Sequence, residues 1–371
     1  MINYLRLLIN NSTSLIIFVV ISLLSLGKVF PQDKTQGFQE IVKKFDIPAI
    51  QLNYLKNGKD HFYNYGVKNV DSKDSIDQNT VFQAASLTKV IATYAFLRLM
   101  DKGLIELDKP LWEYYHYPRL TNNPNKDKIT ARMVLTHRTG LLNWEGDVGT
   151  ASWKNTSLTS QFEPGTDYMY SGEGFYFLQE TMEQITGKSF QQLVEEEVLI
   201  PLGMKNSAIV WNDELIHNAA YGHYENGKAR KMGMYRNSNA AYTLYTTAKD
   251  YSIFLKSYIF NGTGLKKKTH KFALSRLSEA KKASHKSTDD QHVPCALGMR
   301  MQINELGTAY WHTGSNPGFR CFFLAYPKTK EILVAFSNSD NGFVTIPHLL
   351  ALFLNNNQTF WMYKWRQGEL D

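Results

Sequence analysis

The sequence contains only two cysteines, Cys295 and Cys321, among its 371 residues. Spacing cannot show whether they meet, so two unpaired core thiols are the favoured interpretation and a disulfide of an exported chain is the alternative. The sequence also lacks His-Glu-x-x-His and paired Cys-x-x-Cys patterns, and we therefore expect no catalytic metal and no cofactor. The absence of a Gly-x-Ser-x-Gly elbow argues against an ordinary α/β-hydrolase. No nucleic-acid motif is found, which argues against a nucleic-acid partner.

The composition is that of a folded protein, because 43% of the residues are hydrophobic and 13% are aromatic. The formal net charge is +7, and eight lysines and arginines between residues 266 and 286 supply more than this excess. The positive charge is therefore local. A solvated helical face or loop is the simpler interpretation of this segment, and attraction to an anionic envelope surface is the alternative.

An unbroken apolar run covers residues 14 to 26, after a short basic stretch that contains Arg6. The run is shorter than the roughly 20 residues that a membrane-spanning helix needs. No clean small-residue cleavage site follows it. Residues 1–30 are therefore predicted to be an export signal, with an uncleaved membrane anchor as the alternative. Either form places the protein in the periplasm or on the outer side of a membrane.

Strand-like runs occur at both ends of the chain. Near the start, AIQLNYL and HFYNYGV flank an Asn-Gly turn, the strongest short hairpin signal. Near the end, ALGMRMQI, TAYWHT, FRCFFLAY and EILVAFSN predict an antiparallel meander followed by a helix over 344–353. We therefore predict an α/β (α+β) fold, with one antiparallel sheet from residues 36–80 and 295–355. A mainly helical region over 86–290 is inserted between them.

The run QAASLTKV contains Ser86 and Lys89 at the start of a predicted helix that ends at Gly103. The helix is apolar around most of its circumference, which indicates that it is buried. Residues three apart share a helix face, so Lys89 lies beside Ser86. Burial and the positive end of the helix both favour the neutral amine. A neutral amine beside a hydroxyl is a general base, which makes Ser86 a candidate nucleophile.

Two further stretches contain candidate catalytic or substrate-binding residues. In YMYSGEGF, the phenol of Tyr170 could relay a proton if it lies near a lysine, although Tyr168 is a rival at nearly the same place. In WHTGSNPGF, His312, Thr313 and Gly314 end a predicted strand, and Gly314 permits close approach of a ligand to the backbone. The backbone amides of Ser86 and Ser315 could together form an oxyanion hole.

The ordered set Ser-x-x-Lys, Tyr-x-x and His-Thr-Gly resembles the serine β-lactamase and penicillin-binding protein superfamily. It is most similar to the branch of class C β-lactamases, D-Ala-D-Ala carboxypeptidases and related esterases. The segments ITARMVLTHRTGL, PLGM and YTTAKDYSIFL resemble that branch as well, so a single domain over residues 36–360 is expected.

The resemblance implies that Ser86 is the acylated nucleophile, that Lys89 is its base partner and that Tyr170 assists proton transfer. It also implies that His312, Thr313, Gly314 and Ser315 bind substrate. The expected function is an exported serine hydrolase acting through an acyl-enzyme. Its small-molecule or peptide substrate would be an ester or amide, a D-amino-acid cell-wall peptide or a β-lactam. The alternative is a penicillin-binding-like sensor that does not hydrolyse its ligand.

The sequence departs from the family pattern at two positions. Class C enzymes carry an asparagine where this chain has Gly172, and that asparagine binds the acylamino group of β-lactams, so efficient β-lactam recognition is not expected. His312 stands where the family has a lysine that orients a substrate carboxylate. Histidine titrates near pH 6.5. We therefore predict that carboxylate-bearing substrates lose affinity as the pH rises through the neutral range.

Overall fold

The computed structural model describes residues 34–280, 287–354 and 357–367. The predicted export signal over residues 1–30 lies outside the described residues. In the part of the chain that the structure describes, no helix is both long and apolar enough to cross a membrane. The chain divides into the unit Met1–Gly37, of which only residues 34–37 are described, and the unit Phe38–Asp371.

Seven strands form one antiparallel sheet with the order β2-β1-β9-β8-β7-β6-β5, and two further strands, β3 and β4, pair separately. The strands are β1 Ala49–Lys56, β2 Lys59–Gly66, β3 Phe82–Gln83, β4 Tyr245–Thr246, β5 Cys295–Ala296, β6 Met299–Asn304, β7 Gly307–Asn316, β8 Phe319–Tyr326 and β9 Glu331–Ser337. The large sheet is thus built from both ends of the chain, because β1 pairs with β9. This confirms the predicted fold class.

The turn between β1 and β2 has the conformation that allowed the first hairpin to be predicted from the sequence. Asn57 and Gly58 both have positive φ, 52° and 76°, which the two central residues of a type I′ turn require. The register is Lys56 opposite Lys59, so a two-residue loop connects the strands directly.

The helices lie before, between and after the strands. They are α1 Lys34–Lys44, α2 Thr88–Asp101, α3 Ala131–Leu135, α4 Gly172–Thr186, α5 Phe190–Val194, α6 Ile200–Leu202, α7 Ala248–Leu255, α8 Lys267–Ala273, α9 Ile346–Phe353 and α10 Trp361–Gln367. Helix α2 is buried around nearly its whole circumference, as its apolar sequence predicts. The region between α2 and β5 contains more turns than the sequence suggested. Helix α10 was not predicted.

The large sheet has apolar side chains on both faces, because alternate residues of a strand point in opposite directions. On β8, Cys321 and Phe323 join the cluster that contains the helical region, whereas Phe322 and Leu324 join the cluster that contains residues of α9 and α10. Helix α2 therefore packs on one face, and the C-terminal helices cover the other. Cys295 and Cys321 are both buried and unpaired, which confirms the favoured interpretation.

Candidate active site

Ser86 lies on a short turn that leads directly into α2. The turn is a 3-10 helix over Ala85–Leu87, and α2 begins at Thr88. Ala85 has a φ of +49°, a conformation that a residue with a side chain rarely adopts and that is found disproportionately at functional sites. The turn is packed against β7, and Ser86 itself is half-buried. The Ser86 hydroxyl therefore stands at the edge of the core on a backbone that its neighbours hold in place.

Lys89 is one helical turn from Ser86 and is 1% exposed. Its Nζ lies 3.3 Å from Ser86 Oγ and donates a hydrogen bond to the Ala241 carbonyl at 3.0 Å. Burial, together with the smaller effect of the Arg300 charge, lowers the pKa of Lys89 to about 7. The amine is therefore substantially neutral at physiological pH, which is the state that can accept the Ser86 proton.

Tyr170 is the tyrosine whose ring lies beside this lysine. The Lys89 Nζ is 4.8 Å from the centroid of the Tyr170 ring. The Tyr168 hydroxyl instead accepts a hydrogen bond from Arg300. His137 packs its ring 4.3 Å from that of Tyr170, and its Nδ1 accepts a hydrogen bond from the Ser171 amide. His137 thus holds the segment that carries Tyr170 in place.

Strand β7 completes the site. A Cβ at Gly314 would lie 2.6 Å from the Ala84 carbonyl oxygen and 2.5 Å from Cys321 Sγ, so only glycine permits the strand to approach the Ser86 turn this closely. This approach brings the backbone of Ser315 beside that turn, while its side chain is exposed. The Thr313 side chain points the other way, where its hydroxyl accepts a hydrogen bond from Arg366. The structure therefore brings Gly314 to the serine but turns the Thr313 hydroxyl away from it.

His312 is 1% exposed, and its Nδ1 lies 2.7 Å from the Thr313 carbonyl oxygen. A carbonyl can only accept, so Nδ1 carries the proton and Nε2 is left as an acceptor. Nε2 has no hydrogen-bond partner among the described residues. Burial, followed by the charges of Arg300 and Lys89, lowers the pKa of His312 well below its usual value. The imidazole is therefore neutral throughout the neutral range.

The neutral state of His312 changes the pH dependence that we expect for the binding of carboxylate-bearing ligands. The sequence alone suggested that His312 would lose its charge between pH 6 and 8, and with it affinity for carboxylates. Since the buried ring is already neutral there, we now expect the Kd of a carboxylate-bearing ligand for Ser86→Ala to stay within about two-fold of that for Ser86→Ala/His312→Gln at every pH between 7 and 9, because Lys89 titrates equally in both variants. Calorimetric titration of this variant checks the expectation. A ten-fold weakening per pH unit, absent in Ser86→Ala/His312→Gln, would show that His312 does titrate in this interval.

Two features of the site escaped the sequence analysis. Arg300 on β6 is 5% exposed, with its guanidinium carbon 5.5 Å from the Tyr170 ring centroid. A single arginine within the otherwise apolar run ALGMRMQI was the signal that could have identified it. The second feature is Trp144. A Cβ at Gly172 would meet its indole carbons at 2.6 Å, so the indole occupies the space beside that glycine.

Comparison with known proteins gives a consistent result. A family model described as Beta-lactamase matches residues 35–352. A Beta-lactamase of Pseudomonas fluorescens is 26% identical over 217 residues, 57% of this chain and 60% of that protein. Protein flp of Staphylococcus aureus strain MW2 is 23% identical over 339 residues, 85% of this chain and 65% of that protein. The chain thus spans 60% and 65% of the length of these two relatives.

A solved structure supports the same fold. The octameric penicillin-binding protein homologue from Pyrococcus abyssi superposes with a TM-score of 0.72 at 19% sequence identity. The match covers 86% of this chain and 76% of that one. At this identity the similarity establishes the fold alone.

Proposed function

Because this chain belongs to the beta-lactamase family of serine hydrolases, we propose that it hydrolyses an ester or amide through an acyl-enzyme on Ser86. The observation that carries the proposal is the buried Lys89 amine, 3.3 Å from Ser86 Oγ with a pKa of about 7. We also propose export of the protein, on the strength of the apolar run over residues 14–26.

In the proposed reaction, Lys89 Nζ takes the proton of Ser86 as Oγ attacks the substrate carbonyl carbon. The backbone amides of Ser86 and Ser315 stabilise the negative charge that develops on the carbonyl oxygen. Collapse of the tetrahedral intermediate breaks the bond to the leaving group, which receives the proton from Lys89. Water then attacks the acyl-enzyme, with the Tyr170 phenol and Lys89 passing its proton to Ser86 Oγ.

The surroundings of Ser86 favour an uncharged acyl group. His312 is a neutral hydrogen-bond acceptor, whereas a carboxylate calls for a donor or a cation. Tyr242, next to the Ala241 that binds Lys89, lines a cavity of about 730 Å³ together with Trp153, Tyr176 and Tyr235. The lining of this cavity is mixed, because charged and amide side chains border it as well, and its volume is of the size that binds small organic groups. We therefore propose a neutral ester, with no carboxylate on its acyl group, as the preferred substrate.

Gly172 supplies a test of why β-lactams should be poor substrates. Gly172→Asn alone should not raise kcat/KM for an acylamino penicillin, because its Cβ collides with the Trp144 indole. The double variant Gly172→Asn/Trp144→Ala removes the indole and leaves the Asn143 carbonyl oxygen, 3.0 Å from the Cβ, as the nearest contact. We expect its kcat/KM to rise about ten-fold, the value of one added hydrogen bond. Trp144→Ala alone is the control. A gain in the single Gly172→Asn variant would contradict this explanation.

The proposal is tested with a chromogenic butyrate ester, a D-Ala-D-Ala peptide and a fluorescent penicillin. Each is incubated with the protein and with Ser86→Ala, and turnover and intact mass are followed over time. Turnover of at least one compound, with an acyl adduct that requires Ser86, supports the hydrolase. A persistent adduct without turnover overturns it in favour of a sensor. No reaction of any compound also counts against it.

A further inference from the structure

Helix α10 lies beyond residue 352, where the match to the family model ends. It nevertheless contacts two residues that border the candidate site. The Trp365 ring lies 4.0 Å from the guanidinium carbon of Arg300, and Trp365 is 6% exposed. The next residue, Arg366, donates from Nη1 to Thr313 Oγ1 at 3.0 Å. One turn of this helix therefore touches both β6 and β7 from the side of the sheet opposite α2.

Arg300 connects this helix to the reacting groups. Its guanidinium is enclosed by aromatic rings, 5.5 Å from the centroid of Tyr170, 5.4 Å from that of Trp311 and 4.0 Å from that of Trp365. It also donates a hydrogen bond to the Tyr168 hydroxyl. Rings that face a cation attract it and restrict its position. Trp365 is the closest of these rings, so among them it restrains the guanidinium most.

We infer that helix α10 is a positioning element of the active site: Trp365 holds Arg300 against Tyr170, and Arg366 holds β7 through Thr313. The inference rests on the proposed function for its kinetic consequences. Trp365 and Arg366 are positioning residues, since neither is placed to touch the substrate. The chain thus uses a segment outside the family match to arrange groups that lie inside it.

The position of Arg300 affects proton transfer because it is a permanent cation among groups that must stay neutral. Its charge lowers the pKa of Lys89, His312 and His137 alike. The titratable groups around Lys89 are Arg300 from β6, His312 from β7, and His137 and Tyr170 from the loops before α4. If the Arg300 guanidinium moves away, its repulsion of the protonated Lys89 amine weakens, and Lys89 is protonated more easily. The pKa of Lys89 should therefore rise.

The kinetic test replaces Trp365 by leucine and, as a matched control on the same helix, Trp361 by leucine. Trp361 stacks on His292 at 4.2 Å rather than on Arg300. We expect Trp365→Leu to lower kcat for the butyrate ester about ten-fold with KM changed less than two-fold, as misplaced reacting groups do. The acid limb of its kcat/KM profile should move up by roughly half a pH unit or more. Trp365→Phe should restore both kcat and the position of the acid limb. Arg366→Gln should lower kcat but leave the acid limb of the kcat/KM profile where it is in the wild type.

A second measurement does not depend on turnover. The protein is labelled with ¹³C at the lysine ε-carbons, and the Lys89 resonance, assigned by its loss in Lys89→Met, is titrated by NMR. A higher Lys89 pKa in Trp365→Leu than in Trp361→Leu and wild type supports the inference. Equal pKa values in the three proteins overturn it. If the wild type turns over none of the three test compounds, the proposed function fails, and this titration still decides the role of α10.

Discussion

Replacing Lys89 with methionine should lower the rate of Ser86 acylation by about 10²- to 10⁴-fold, the usual contribution of a general base. Methionine fills a similar volume in the 1% exposed position beside Ser86 but cannot take a proton. The wild-type rate should fall ten-fold per pH unit below about pH 7, where Lys89 is protonated, and level off above it. Stopped-flow measurement with the butyrate ester checks both expectations.

The same substitution should stabilise the fold. The pKa of Lys89 is about 7 in the folded protein and near 10.4 in an unfolded chain, so between these values the unfolded state binds the extra proton. The unfolding free energy therefore rises with pH between pH 7 and about 10.4. Below pH 7 the cost of burying the charged Lys89 amine is present in full. After allowing for the donor that Ala241 loses, Lys89→Met should gain about 1–3 kcal/mol in unfolding free energy at pH 7. The gain should shrink toward pH 10.

Lys102, at the exposed end of α2, supplies the control. Its side chain is 47% exposed, and Lys102→Met should leave the acylation rate and its pH dependence unchanged. An acylation rate of Lys89→Met within three-fold of the wild type would contradict the assignment of Lys89 as the base. A variant that is inactive and also less stable at pH 7 would contradict the claim that the lysine is held at a cost in stability.

Replacing Glu173 with glutamine should destabilise the protein by about 3–5 kcal/mol, because it breaks a buried ion pair and leaves a cation without its partner. The Glu173 and Arg119 side chains are 0% and 3% exposed and bond through both carboxylate oxygens, at 2.6 and 3.0 Å. Trp153 Nε1 and the Glu145 amide also donate to this carboxylate, each at 2.8 Å. Urea unfolding measures the loss.

Glu173 also bears on the site, because it lies in the first turn of α4, three residues after Tyr170. We expect the surviving folded fraction of Glu173→Gln to hydrolyse the ester more slowly. The control is Glu163→Gln, since Glu163 pairs with Lys128 where both side chains are about half exposed. Exposed pairs contribute less than about 1 kcal/mol. Similar losses of unfolding free energy in Glu173→Gln and Glu163→Gln would show that the buried pair with Arg119 stabilises the protein no more than an exposed pair does.

Local patterns predicted the elements that depend on neighbouring residues. The β1–β2 hairpin follows from the positive φ that Asn57 and Gly58 adopt readily. Helix α2 follows from an apolar run that ends before Gly103. The spacing of Ser86 and Lys89 predicted that they share a helix face, the resemblance to the family added Tyr170, and the structure places the Lys89 amine beside both. Helix α10 was missed because its short aromatic sequence has no apolar periodicity, and it is held by tertiary contacts.

The amino-acid sequence by itself predicted the family, the sheet built from both chain ends and the candidate residues Ser86, Lys89 and Tyr170, but not Arg300 or Trp144. The sequence also predicted a neutral Lys89, but only the tertiary structure decided the charge state of His312 and the contribution of Arg300 to both. Lys89 and His312 are neutral because burial and Arg300 make their charged forms costly. Arg300 comes from β6, roughly two hundred residues away from Lys89 along the chain. A protonation state depends on solvent exposure and on charges brought close by folding, and neither quantity is written in the spacing of residues.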